Sequence, residues 1–146
     1  NTKDIHPTNK KDVGLRLSAI ALNDVYGKKQ ICSGPMYKGM EIKGSQIVVS
    51  FASIGGGLST TDNNGDLKGF EIAGADKVFH AAKAIIIDNK VMVSSEKVPN
   101  PVGVRYGGAD DDTEINLFNK EKFPASPFRT DTWEMVTANE KYSVTK

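Results

Sequence analysis

The hydrophobic period of this chain changes once, at Gly27, and that change limits the folds open to it. Residues 12–26, DVGLRLSAIALNDVY, place Val13, Leu17, Ile20, Ala21 and Val25 at three- and four-residue spacings, which predicts an α-helix with one buried stripe. Asp12 is a suitable N-cap and Gly27 a suitable C′ residue, while Gly14 weakens the first turn. From Lys28 onward, short runs of Val, Ile and Phe are separated by Gly, Asn, Asp and Pro clusters roughly every ten residues, the pattern of an antiparallel β domain. The clearest strands are QIVVSFASI (46–54) and AIIIDNKVMVSS (84–95). Gly44-Ser45 suits a type II′ turn and Asp88-Asn89 a type I′ turn, so hairpins are predicted over 36–54 and 78–95. Further strands are expected at 69–73, 102–106 and near 133–138, with 107–131 a long ordered loop.

One helix followed by six or seven strands predicts a mainly β fold: an antiparallel β-sandwich preceded by one α-helix. No internal repeat is visible. The helix must bury its stripe, and nothing before it in the chain is long enough to receive it. Residues 1–27 are therefore expected to be the end of another domain, and residues 28–146 a β-sandwich domain.

Composition excludes several functions. With 19 Lys plus Arg against 18 Asp plus Glu the net charge is +1, so there is no basic footprint for nucleic acid or for an anionic membrane. No apolar run approaches the ~20 residues that span a bilayer, and NTKDIHPTNKKD lacks the core of a signal peptide, which would have to precede residue 1. Cys32 is the only cysteine and His6 and His80 the only histidines, too few for a structural zinc site. Neither a cofactor nor a metal is called for.

The segment DIHPTNK (4–10) offers the most reactive chemistry. Histidine titrates near neutral pH and suits general-base work, and a nearby carboxylate can fix its tautomer. On local spacing alone, Asp4 and His6 read better as exposed residues of a frayed chain end. A resemblance tips the balance. DIHPTNKKDVGLRLSAIALNDVYGK resembles the closing segment of the SGNH/GDSL-type hydrolase domain of sialate O-acetylesterases, where a His-Pro precedes the last helix. LKGFEIAGADKVFHAAKA (67–84), VPNPVGVRYGG (98–108) and FNKEKFPASPFRTDTW (118–133) resemble the C-terminal region of that family in the same order.

This resemblance implies a carbohydrate esterase that removes O-acetyl groups from sialic acids or related acetylated glycans with a serine nucleophile. His6 matches its general base. The wider superfamily places its acid three residues before the histidine, where this chain has Lys3. Asp4, two before, is the candidate orienting acid, the alternative being a group outside the chain. The Gly-Asp-Ser-type nucleophile block and the oxyanion-hole blocks are absent, and none of the serines sits in an elbow motif. The chain is thus expected to be a C-terminal fragment, inactive alone, whose partners are the glycan and the N-terminal catalytic portion of the same protein. The family location is periplasmic, lysosomal or extracellular. The alternative is a non-catalytic β-sandwich module that binds glycan or a partner domain.

Other polar clusters are expected to be structural. Asp62, Asn64 and Asp66 alternate like the first ligands of a calcium loop, but Leu67 and Ala73 occupy the positions of its Gly and Glu, which favours a polar turn. The run Asp110-Asp111-Asp112 with Glu114 reads as a solvated loop, and His80 as a surface or core-edge residue. Trp133, Phe123, Phe128 and Tyr106 suit either sugar stacking or, the preferred reading, loop packing. Arg105 and Arg129 have the donor chemistry to hold a sialic-acid carboxylate bidentately, although a surface ion pair is preferred.

Overall fold

A computed structural model describes residues 9–62, 65–108, 115–135 and 138. Helix α1 (Lys10–Asp24) begins two residues before the predicted start because Asn9, not Asp12, is its N-cap. The Asn9 side-chain oxygen accepts the Asp12 N–H at 3.2 Å, and its Nδ2 donates to the Asp12 carboxylate at 2.7 Å. Asp12 thereby completes a reciprocal cap and puts its charge at the positive end of the helix dipole. At the other end the Ala21 carbonyl accepts from both Val25 and Tyr26. Gly27, at φ +64°, then turns the chain so that the Lys28 N–H reaches the Leu22 carbonyl at 2.8 Å.

The predicted stripe is present but not buried. No residue of α1 is buried, and Leu17 and Val25 are 63% and 76% exposed. The side of α1 that meets the rest of the chain is largely polar: Gln30 donates through Nε2 to the Ala19 carbonyl at 3.1 Å, and Asp12, Leu15 and Arg16 face residues 121–123. Val13, Leu17 and Ile20 are left exposed.

The connection from α1 to the β region is firmly held. Asn119 donates through Nδ2 to the Ser33 carbonyl and Ser126 N–H donates to the Pro35 carbonyl. Gly34 lies so close to the Pro124 carbonyl that a Cβ would sit 1.9 Å from its oxygen, so only glycine fits.

The β region is antiparallel throughout. One sheet has the order β1 (Met36–Lys43), β2 (Gln46–Ala52), β8 (Lys90–Ser94), β7 (Lys83–Ile87), β4 (Asp66–Leu67). The second has the order β11 (Phe128–Arg129), β9 (Gly103–Tyr106), β5 (Phe70–Ala73), β6 (Phe79–Ala81). A short pair, β3 (Leu58–Thr60) with β10 (Leu117–Asn119), completes the set. Ile47, Val49, Phe51, Val91 and Val93 of the first sheet share one core with Phe70, Ile72, Val104 and Tyr106 of the second, the sandwich expected from the alternating runs.

Both predicted turns form. Gly44 (φ +59°) and Ser45 link Lys43 to its partner Gln46, and Asp88 (φ +49°) and Asn89 (φ +58°) have the two left-handed residues of a type I′ turn. Three expectations are corrected. The second hairpin pairs 83–87 with 90–94, because the chain changes sheets at Ala82 and Phe79–Ala81 pairs with β5. The expected loop over 107–131 contains β10 and β11. No strand forms among the described residues near 133–138, where the predicted last strand is displaced to Phe128–Arg129.

The exposure of α1 sets a measurable contrast. Leu17→Gln is expected to change the unfolding free energy of this chain by no more than about 0.5 kcal/mol in urea titrations, whereas Ile47→Ala costs about 2–4 kcal/mol.

Candidate functional site

The reactive segment of the sequence reading, His6 with Asp4 and Lys3, lies outside the described residues. So do Asn64, Asp110, Asp111, Asp112 and Glu114. The first described element after His6 is α1, and its N-terminal turns line a cleft of about 260 Å³ against the sandwich. Asp12, Leu15 and Arg16 form one wall, and Glu121, Lys122 and Phe123 the other. Glu121 is anchored there because its Oε1 accepts the Gly56 N–H at 2.9 Å.

Of the calcium-like residues, Asp62 and Asp66 take part in local turn and loop hydrogen bonds. Asp62 N–H donates to Thr60 Oγ1, the Asp62 carbonyl accepts the Gly65 N–H, and the Asp66 carbonyl accepts from Asn116 Nδ2 at 2.9 Å. Among the described residues no three His, Cys, Asp or Glu side chains gather where they could hold a metal ion.

The densest polar cluster is built on the outer side of the second sheet. Arg105 on β9 faces Arg129 on β11 directly across the strand pair. Asp131, whose side chain is only 2% exposed, sits between them. Arg105 grips it as a fork, Nε to Oδ2 at 2.8 Å and Nη2 to Oδ1 at 2.9 Å, and Arg129 Nη2 donates to Oδ1 as well. Arg129 also donates to the carbonyls of Asp131 and Trp133, and the Trp133 N–H returns to Asp131 Oδ1. Thr130 pins the same segment to Val104 through its backbone N–H and its hydroxyl. The hydrogen bonds from Arg105 hold the Asp131 carboxyl well below the usual carboxylate range; burial opposes this and the Arg129 bond reinforces it. The Arg105 guanidinium lies 3.9 Å from the centroid of the Phe79 ring. The ion pairing expected of Arg105 and Arg129 is present, but its partner, Asp131, is not marked by any motif. Its one local signal is the Arg129-Thr-Asp131 spacing, since Arg105 is 26 residues away.

The aromatic residues divide as packing favours. Tyr106 is 1% exposed and tilted against Phe70 at 4.6 Å, and Phe128 stacks on Tyr37 at 4.9 Å. Phe123 is half-buried beside α1. Trp133 lies 5.6 Å from Phe79 on the outer side of the sheet, with Lys77 Nζ 5.9 Å from its ring. His80 is half-buried on β6 opposite Ile72, apart from the Asp131 cluster.

A second cavity, of about 240 Å³, opens beside this cluster and is lined by Arg105, Arg129, Gly107, Pro127, Phe128 and Met135 among others.

Comparison with known proteins gives this architecture a context. No family model matches the chain, and neither does any curated protein. Among solved structures, a novel carbohydrate acetylesterase from Xanthomonas citri matches 89% of this chain at 45% sequence identity and a TM-score of 0.83. The chain spans 30% of the length of that protein. It is thus related in sequence and fold to part of a carbohydrate esterase.

Asp131 gives the site an acid-sensitive anchor. Its lowered pKa means that its contribution is fully present above the ordinary carboxylate value near pH 4 and is lost as pH falls from there toward the native value. Asp131→Asn is expected to cost about 2–4 kcal/mol at pH 7, and the gap between the two proteins in thermal melts should narrow below about pH 4.

Proposed function

We propose that this chain is the C-terminal portion of a carbohydrate esterase that hydrolyses O-acetyl esters of sialic acids or related acetylated glycans. In this reading residues 1–27 end an SGNH-type catalytic domain, and residues 28–146 form its β-sandwich companion. The observation that carries the proposal is the likeness to a carbohydrate acetylesterase over 89% of this chain, which accounts for 30% of that protein. The exposed stripe of α1 supports it. Val13, Leu17, Ile20 and Val25 make an apolar face that the sandwich leaves uncovered, and the N-terminal catalytic portion of the same protein is the surface proposed to cover it.

His6 is assigned the general-base role. It takes the proton of a serine hydroxyl supplied by the N-terminal portion as the oxygen attacks the acetyl carbonyl. It returns that proton to the sugar oxygen as the acyl-enzyme forms and free glycan leaves, and then activates water to release acetate. Asp4 is the proposed orienting partner for the imidazole. A chain holding the base but neither nucleophile nor oxyanion donors cannot form an acyl-enzyme, so residues 1–146 alone are expected to be inactive. A periplasmic, lysosomal or extracellular location goes with this reading.

Acetyl release from O-acetylated sialic acid tests the proposal, using this chain and the longer parent protein, each beside its His6→Ala variant. The expected result is activity in the parent, a loss of at least about 10³-fold on His6→Ala, and none in this chain. A parent that tolerates His6→Ala would remove the catalytic role and leave a glycan- or partner-binding module. A parent that depends on His6 but releases acetate only from acetylated plant polysaccharide would keep the mechanism and change the sugar.

A further inference from the structure

The cavity beside Asp131 is lined by two arginines whose hydrogen-bonding capacity the fold does not fully use. One forked arginine is enough to satisfy a buried carboxylate, and Arg105 supplies that fork. Arg129 is a second cation on the same oxygen. Glu71, the other carboxylate acting on Arg105, belongs to β5 on the far flank of β9, away from Arg129. Two arginines thus face two carboxylates, and the cavity opens on the β11 side, away from Glu71.

The donors are also incompletely used. Arg105 and Arg129 engage Asp131 and its neighbours through Nε and Nη2, which leaves both Nη1 groups without a protein acceptor among the described residues. Their side chains are 22% and 31% exposed, so a ligand can reach them, while Asp131 holds both guanidinium groups in place. The remaining walls suit a small ring. Pro127 and Met135 are apolar, and Gly107, at φ +65°, carries no side chain. A volume of about 240 Å³ lies below the ~300 Å³ of drug-sized sites and suits a single sugar residue.

We propose that this cavity is a subsite for an acidic sugar of the uronic acid class. The sugar carboxylate would meet the free edges of Arg105 and Arg129, and one face of the ring would rest on Pro127 and Met135. The choice of a sugar over another carboxylate rests on the glycan reading above; the carboxylate preference rests on the arginines alone. Binding involves no ester hydrolysis, so its outcome is independent of His6.

The test is calorimetric titration of this chain with D-glucuronate, D-glucose and acetate. Glucuronate is expected to bind at least tenfold more tightly than either control, because it alone offers both the anion and the ring. Arg129→Gln should weaken it at least tenfold, and Lys77→Gln, on the neighbouring Trp133, should leave it unchanged. Amide shifts of Gly107 and Gly108 in the unmutated chain give a readout that does not depend on a variant folding, and glucuronate should move them. Glucuronate binding no tighter than glucose would overturn the carboxylate preference, and acetate binding as tightly as glucuronate would overturn the sugar subsite. Unmoved glycine amides would reject the location.

Discussion

The alternation of buried and outward side chains along the strands is the constraint from which the rest of the structure follows. Ile47, Val49 and Phe51 occupy every second position of β2, and Val91 and Val93 do the same on the adjacent β8. Ile72, Val104 and Tyr106 meet them from the second sheet in one core. A slip of one residue would exchange this set for Val48, Ser50 and their neighbours, so the register is closely specified. The polar cluster inherits its geometry from that register. Tyr106 and Phe128 are committed to the core, Tyr106 further by its hydroxyl, which accepts the buried Leu117 N–H at 3.1 Å. Their chain neighbours Arg105 and Arg129 must therefore stand on the opposite face, side by side across a strand pair. Asp131 then has two fixed guanidinium groups to bind, and the segment through Trp133 is drawn over the sheet.

The sequence was legible wherever local chemistry decides the conformation. Gly44-Ser45 and Asp88-Asn89 specify their turns because few residues accept a positive φ, and the long alternating runs beside them could only be strands. Elements decided by distant partners were not legible. The pairs Asp66–Leu67 and Phe128–Arg129 are two residues long and exist because β7 and β9 offer them ladder positions. Phe79–Ala81 reads as the start of a hairpin and is claimed by β5. Asp12 has the residue type of an N-cap, but Asn9 takes that place and Asp12 supports it from within the first turn. Asp131 escaped notice because burial and a partner 26 residues away, rather than any motif, make it important.

The helix is the clearest case of a pattern whose spacing is right while the burial it predicts is missing. Its spacing predicts an apolar face, and the face is there, yet its nearest surroundings in this chain are polar: Gln30 on the Ala19 carbonyl, and Glu121 and Lys122 across the cleft. The side of the helix that meets its own chain thus carries Asp12, Arg16 and Asn23 rather than Val13, Leu17 and Ile20. The likeness of this chain to part of a longer carbohydrate acetylesterase supplies a reason for that orientation.

The same exposed stripe has a practical consequence for work with the isolated chain. Val13, Leu17, Ile20 and Val25 present apolar side chains to water, the kind of surface that joins copies of a protein nonspecifically as concentration rises. Concentration-dependent self-association of residues 1–146 is then expected to run through this face. Because Gly34 and Pro35 lock the sandwich beyond the helix, trimming the chain to begin at Lys28 offers a way to separate that association from the behaviour of the β domain itself.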